Sequence, residues 1–528
     1  MDTRRLLRTT GSLLAAAGLL ASVTACTAAD TGLRTAASTG AMTAGDPSGA
    51  AARSTAVPAA LRPYYDQKVA WRACGVPGFE CATVKAPLDY AAAEAGNAQD
   101  IRLAVARKKA TGPGKRLGSL LVNPGGPGGS AIGYLQAYAG IGYPAPVRAR
   151  YDIVAVDPRG VARSEPVECL TGPQMDAYTQ VDQTPDDAAE RRALVTAYEE
   201  FAAGCERRSG RVLPHVSTVE AAKDMDLVRA LVGDEKLNYV GASYGTFLGA
   251  TYAELFPHRA GRLVLDGAMD PSRTAIELNR DQTAGFETAF RSFAKDCAAQ
   301  TDCPLGTGGP DEATRNLKAF FKELDARPVP TGESRKLGES LATTGVIAAM
   351  YDESAWPQLR EAITQAQQGD GKGLLALADS YYEREPNGSY ANLMFANAAV
   401  NCLDLPAAFS GPEAVEAAVP SFEKASPVFG AGFAWASLNC TYWPEKATGS
   451  PHRIRAEGAP PLLVVGTTRD PATPYAWAES LADQLDSGVL LTYDGDGHTA
   501  YGRGSDCIDT AINTYLLEGE APRNGKRC

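Results

Sequence analysis

The stretch KLNYVGASYGTFLGATYAELFPH, residues 236–258, decides how the rest of the chain is read. It opens on a short β-rich run, Leu237-Asn238-Tyr239-Val240, and turns sharply through Gly241-Ala242-Ser243-Tyr244-Gly245. From Thr246 it continues with Phe247, Leu248, Ala250, Tyr252 and Leu255 available to pack one face of a helix. Strand, tight turn and helix are the setting in which a serine is held at the tip of an elbow with its hydroxyl exposed. The flanking glycines have a steric reason, because such a serine sits on a strained backbone with neighbouring chain close beside it. A Gly-x-Ser-x-Gly string alone says little; the strand before it and the helix after it carry the reading of Ser243 as a nucleophile.

Working outward, Ser217-x-x-Glu220 is a capping box opening a helix that carries Val219, Ala222, Met225 and Leu231 and stops near Gly233. Upstream, 151–156 (YDIVAV) reads as a buried strand, 119–122 as a short apolar run and 101–110 as an alternating one. Downstream, 261–267 supplies another strand. The order strand, helix, strand, elbow, helix, strand describes a parallel α/β sheet. The run at 119–122 ends in Asn123-Pro124-Gly125-Gly126-Pro127-Gly128-Gly129-Ser130, a glycine-rich loop that brings backbone amides close to a ligand. Prolines have no N–H, so a donor there must be a glycine, and Gly126 is the expected one, acting with the amide of Tyr244 after the nucleophile. Asp157 and Arg159, after the strand at 151–156, read as a structural, turn-forming charged pair rather than as catalytic charges.

From about 275 to 455 the alternation of short strands and helices gives way to amphipathic helices and loops, including 287–295, 314–324, 356–367 and 374–383. Its aromatics, among them Tyr351, Trp356, Tyr381, Tyr382, Phe433 and Trp435, are expected to form a core of their own. The sheet pattern resumes at 461–466 and ends in Asp470-Pro471-Ala472-Thr473-Pro474. A strand at 488–493 then leads into Asp494-Gly495-Asp496-Gly497-His498, and a helix at 508–517 closes the chain.

A serine hydroxyl is a poor nucleophile near neutrality unless a base takes its proton. Of the four histidines, His215, His258 and His452 lie beside helices or in a polar loop, and only His498 ends a late strand in a glycine-flanked loop. The imidazole needs an acid on its other nitrogen. Asp470, on its rigid Asp-Pro-x-Thr-Pro turn, is expected in that role, with Asp266 as the rival and Thr473 as either a support to the acid or a helix cap.

Composition sets outer limits. With 45% hydrophobic residues the chain buries a large core, and a formal charge of −11 argues against nucleic acid as a partner. Residues 1–25, with Arg4-Arg5 and an apolar run at 13–23 too short to span a bilayer, read as an export signal. Val23-Thr24-Ala25-Cys26 resembles a bacterial lipobox, which makes Cys26 the expected lipidation site and a lipid anchor the only membrane attachment. Residues 26–58, rich in Ala, Thr, Ser and Gly, read as a flexible tether. Eleven cysteines leave ten once Cys26 is set aside. In an exported chain these suggest disulfides, the simplest connectivity being the sequence-local one, Cys74–Cys81, Cys169–Cys205, Cys297–Cys303, Cys402–Cys440 and Cys507–Cys528. No spacing suits a metal, and no cofactor motif is present.

Taken together, Asn123-Pro124-Gly125-Gly126-Pro127-Gly128, Asp157-Pro158-Arg159-Gly160, Gly241-x-Ser243-Tyr244-Gly245, Asp470-Pro471-Ala472-Thr473-Pro474 and Gly497-His498 make the sequence from about residue 60 onward resemble the bacterial secreted tripeptidyl aminopeptidases, lipoprotein members included. More distantly it resembles the proline iminopeptidases, whose His-Gly-Gly-Pro-Gly is replaced here by Pro124-Gly125-Gly126-Pro127-Gly128. The resemblance implies an α/β-hydrolase fold, a mostly parallel sheet with a large helical cap inserted before the strand carrying the acid. The core then spans 59–274 and 456–528 and the cap 275–455. It implies Ser243, Asp470 and His498 as triad, Gly126 and Tyr244 as oxyanion donors, peptides as substrates, and work outside the cell, anchored or secreted. It also implies carboxylates that bind the substrate's amino terminus, for which Asp352, Glu353, Glu277, Asp281 and Glu287 are candidates. Two other functions compete: a carboxylesterase using the same triad, and a lipid-anchored binding protein without catalysis.

Overall fold

The computed structural model describes residues 57–528. The expected signal segment, Cys26 and nearly all of the tether lie outside the described residues.

In chain order the strands are β1 Arg72–Ala73, β2 Glu80–Pro87, β3 Asp100–Lys108, β4 Gly118–Asn123, β5 Tyr151–Val156, β6 Leu237–Ala242, β7 Ala260–Asp266, β8 Val329–Pro330, β9 Lys336–Leu337, β10 Leu462–Arg469, β11 Gly488–Asp496 and β12 Lys526–Arg527. Strands β8 and β9 form a separate hairpin, and the other ten make one sheet in the order β1-β2-β3-β5-β4-β6-β7-β10-β11-β12. The β1 to β3 flank and its junction with β5 are antiparallel. Every pairing from β5 onward is parallel. Every residue of β4 and β5 is buried, as are the first six of β10, which is why these segments read as continuous apolar runs.

The register fixes where the chemistry sits. Asn123 of β4 lies opposite Gly241 of β6, Ala242 opposite Asp266 of β7, and Asp266 opposite Val465 of β10. The glycine-rich loop, the Ser243 elbow, and the loops bearing Asp470 and His498 therefore all leave the sheet at one rim, the carboxyl edge where open α/β sheets place ligands.

Between β7 and β10 the chain builds a helical cap from helices that include Ala275–Ala298, Pro310–Ala326, Glu339–Met350, Trp356–Gln367, Lys372–Tyr381 and Leu393–Asp404. The cap has its own apolar centre, with Phe286, Phe290, Phe293, Leu317, Leu341 and Ile363 packed together. A second excursion, which the sequence reading passed over, runs between β5 and the helix Thr218–Leu231. It contains the 22-residue helix Ala188–Ser209, opened by a capping box of Asp187 and Glu190. Among the described residues the five disulfides are the sequence-local pairs.

Asp157 and Arg159 are both structural, but they do not pair with each other. Asp157 accepts from Ser130 Oγ at 2.8 Å and Ile132 N at 2.9 Å, bracing the end of the glycine-rich loop. Arg159, 1% exposed, forks onto Asp224 at 2.7 and 2.8 Å and donates to the carbonyls of Pro87, Leu88 and His215. Two charges close in sequence point opposite ways, because each finds better geometry with a distant partner. Replacing Arg159 with Met leaves Asp224 buried without its cation and should cost about 3–5 kcal/mol, read as a lowered denaturation midpoint; an unchanged midpoint would contradict the assigned pairing.

Candidate active site

Ser243 sits at φ 57° and ψ −125°, a left-handed strain that places the hydroxyl proud of the strand end. The surrounding glycines are required by close approach: a Cβ on Gly241 would lie 2.3 Å from Gly245 O, and one on Gly125 would lie 2.5 Å from Ala242 O and 2.9 Å from Ser243 Cβ. Gly125, at φ 93°, also adopts a conformation that other residues resist.

Asp470 and His498 meet. The carboxylate oxygens lie 2.8 and 2.9 Å from His498 Nδ1, and they also accept the amides of Ala472 and Thr473 at 2.9 Å and Thr499 at 3.1 Å. With Nδ1 engaged, Nε2 is the nitrogen left to take a proton. Thr473 supports the pair, its amide on Asp470 and its hydroxyl 3.4 Å from Nδ1. The other three histidines are elsewhere; His452 is held by Glu254 at 3.1 Å, which raises it to about 9.

Asp266, the rival acid, does not touch the imidazole. Its carboxylate accepts the amides of Ala500 and Tyr501, at 3.0 and 2.9 Å, while its backbone carbonyl accepts the amide of Ser243 at 2.9 Å. One residue thus binds the elbow on one side and the histidine loop on the other. Burial raises its pKa to about 6. The cap contributes as well: Tyr351 O accepts the amide of His498 at 2.8 Å, its ring packs edge-on to the imidazole at 5.4 Å, and neighbouring Asp352 pairs with Arg503 at 3.4 Å.

Among the described residues neither Gly126 N–H nor Tyr244 N–H donates to another protein group, although both residues lie where the glycine-rich loop passes Ser243. Gly126 and Ser243 line a cavity of about 410 Å³. One wall comes from the cap, with Phe286, Ile347, Tyr351, Tyr381, Tyr382 and Phe433; the other comes from the second excursion, with Tyr178, Gln183, Thr184 and Tyr198. Several aromatics expected only to fill the cap's interior therefore also face this space.

None of the five carboxylates considered for substrate binding lines the cavity. Asp352 is tied to Arg503, Glu277 caps its own helix at Thr274, Asp281 accepts from Trp477 Nε1, Glu287 accepts from Ser426 Oγ, and Glu353 is exposed. Glu339 is the only charged side chain on the lining. In sequence it is just a first-turn acid of a cap helix, and nothing local distinguishes it. Burial is the main cause that raises it to about 7; the nearby charges of Asp182 and Asp325 push the same way, while a hydrogen bond from Thr184 opposes them. The three carboxylates lie within 4.8 Å of one another, the one group among the described residues whose donors could gather around a cation.

The family described as "alpha/beta hydrolase fold" matches residues 118–345, and that described as "TAP-like protein" matches residues 426–528. "Serine protease Hip1" of Mycobacterium tuberculosis is 37% identical over 490 residues, 88% of this chain and 92% of that one. The chain belongs to the TAP-like α/β-hydrolase family. "Carboxylesterase B" of Mycobacterium tuberculosis is 38% identical to this TAP-like chain, covering 85% of it and 86% of its own length. "Tripeptidyl aminopeptidase" of Streptomyces coelicolor is 32% identical, covering 85% and 83%. A solved proline iminopeptidase of Mycobacterium smegmatis aligns at 13% identity and TM-score 0.34 over 83% of this chain and 98% of its own, too loosely to add to the argument.

For this TAP-like hydrolase, Asp470→Asn should lower kcat about 10³–10⁴-fold by releasing the imidazole tautomer. Asp266→Asn should cost about 1–3 kcal/mol of stability yet retain more activity; the reverse ranking would exchange their roles. Burial raises Asp266 from about 3.9 in the unfolded chain to about 6 in the fold. Its contribution is therefore fully present below pH 4 and is lost as pH rises through 6, a slope that Asp266→Asn should remove from the stability profile.

Proposed function

We propose that the protein is a serine exopeptidase that releases tripeptides from the amino termini of oligopeptides, with Ser243, Asp470 and His498 as its triad. The observation that carries this reading is Glu339, the one acidic side chain lining a cavity that also reaches Ser243, with Asp182 and Asp325 close behind it. A short peptide fits a space of this size, and a free α-ammonium is the substrate group complementary to that charge. Fixing the ammonium at one end and the reacting carbonyl at the other sets how many residues are released.

In this mechanism Ser243 Oγ attacks the carbonyl carbon of the third residue while His498 Nε2 takes its proton. The carbonyl oxygen, now anionic, accepts the amides of Gly126 and Tyr244, and Asp470 stabilises the imidazolium. The C–N bond then breaks, His498 returns the proton to the leaving amine, and water enters to release the tripeptide from the serine ester. The leader at 1–25 and Cys26 support export and lipid attachment at the outer face of the membrane, where peptide substrates are met. Among the described residues no helix is long and apolar enough to cross a membrane.

The carboxylesterase reading is favoured by the relative of that name at 38% identity. Comparing a tripeptide anilide with a free amine, its N-acetyl form and a short-chain ester separates the two. The exopeptidase should strongly prefer the free amine, and equal rates on free and blocked peptides would eliminate it. Glu339→Gln should raise KM for the free-amine peptide about 10-fold or more and leave ester hydrolysis unchanged. With Glu339 near 7, KM for that peptide should fall as pH rises through 7, because the carboxylate ionises, and rise again as the substrate amine loses its proton near 8.

A further inference from the structure

The cap helix Leu393–Asp404 touches one half of the candidate oxyanion hole, at Gly126, and reaches the other, Tyr244, through Thr218. At its start, the backbone of the glycine-rich loop lies directly on it: a Cβ on Gly128 would fall 2.4 Å from Leu393 O and 3.2 Å from Asn397 N, and Leu393 Cδ1 stands 3.4 Å from where a Cβ on Gly126 would be. Asn397 Nδ2 donates to Pro127 O at 3.2 Å, and Asn401 Nδ2 in turn donates to Asn397 Oδ1 at 3.0 Å, holding that amide in orientation.

At the other end, Asp404 is 8% exposed, Thr218 1% and Tyr244 4%. Asp404 accepts the amide of Thr218 at 2.8 Å and the Thr218 hydroxyl, which is in turn hydrogen-bonded to the phenol of Tyr244. Tyr244 is the first residue of the elbow helix Tyr244–Leu255, so its anchored, buried phenol and its backbone amide belong to one residue. The cap helix Leu393–Asp404 is itself pinned by Cys402–Cys440 and by Thr448 N, which donates to Leu403 O at 2.8 Å.

We propose that this one cap helix sets the spacing of the two oxyanion donors, with Asn397 a positioning residue for Gly126 and the Asp404–Thr218 pair a positioning device for Tyr244. The inference rests on Ser243 acting by acyl transfer, and it holds for a peptide or an ester alike. Donors misplaced by fractions of an ångström lose charge stabilisation in the transition state while ground-state binding is untouched.

The test is Tyr244→Phe, which keeps the amide and removes only the hydroxyl, with Thr218→Val, Thr218→Ser and Asn397→Ala beside it. Each is measured on a short-chain nitrophenyl ester and a free-amine tripeptide anilide. Inhibition by a trifluoromethyl ketone, whose adduct carries an oxyanion, is read alongside. Tyr244→Phe, Thr218→Val and Asn397→Ala should lower kcat about 10-fold on both substrates, a fraction of the 10²–10³ lost with a whole donor. KM should stay within about twofold, and ketone affinity should fall by the same factor as kcat/KM. Thr218→Ser should restore wild-type values, which a general packing role would not predict. Folded variants with unchanged kcat and ketone affinity, or with raised KM alone, would overturn the proposal. Failure of the exopeptidase reading would show separately, as wild-type indifference to a free amine. Full activity in Ser243→Ala would remove both.

Discussion

Asp266 is the constraint on which the site depends. Its carbonyl receives the amide of Ser243 and its carboxylate receives two amides of the histidine loop, so residues more than two hundred positions apart are held against one buried residue. A carboxylate is suited to this because it accepts from several donors at once, whereas an amide side chain must also place its own N–H₂. The cost of burying it appears in its raised pKa, and the two amides of Ala500 and Tyr501 offset part of that cost. Asp470 is then the carboxylate that meets the imidazole, steadied by the amides of Ala472, Thr473 and Thr499.

Much of this was legible in the chain. Ser243, Asp470 and His498 each follow a strand and sit among glycines or prolines, so local pattern marked their places at strand ends. The centre of the parallel sheet was legible because β4, β5 and most of β10 are buried on both faces and read as apolar runs. The antiparallel flank was read only in part, since β2, Glu80–Pro87, alternates weakly and β1 is two residues long; the parallel edge strand β12, also two residues, is equally faint in sequence.

What sequence could not supply is whatever depends on distant chain meeting. Glu339 looks like any acid in a first helical turn until the fold turns it toward a cavity. Arg159 was read beside Asp157 because they are neighbours in sequence, but its partner Asp224 lies on a helix sixty-five positions away. The excursion between β5 and Thr218–Leu231 went unread although Asp187-x-x-Glu190 announced its long helix, and that excursion forms a whole wall of the cavity.

The bond from the amide of His498 to the carbonyl of Tyr351 bears on how such a hydrolase can diversify. Its histidine loop is completed by backbone that belongs to the insertion, so the insertion is not interchangeable upholstery over a self-sufficient engine. A cap grafted from elsewhere would have to arrive with a carbonyl at that point in space, while the remainder of its surface could be rewritten. New specificities are accordingly easier to reach by altering the walls than by swapping the roof.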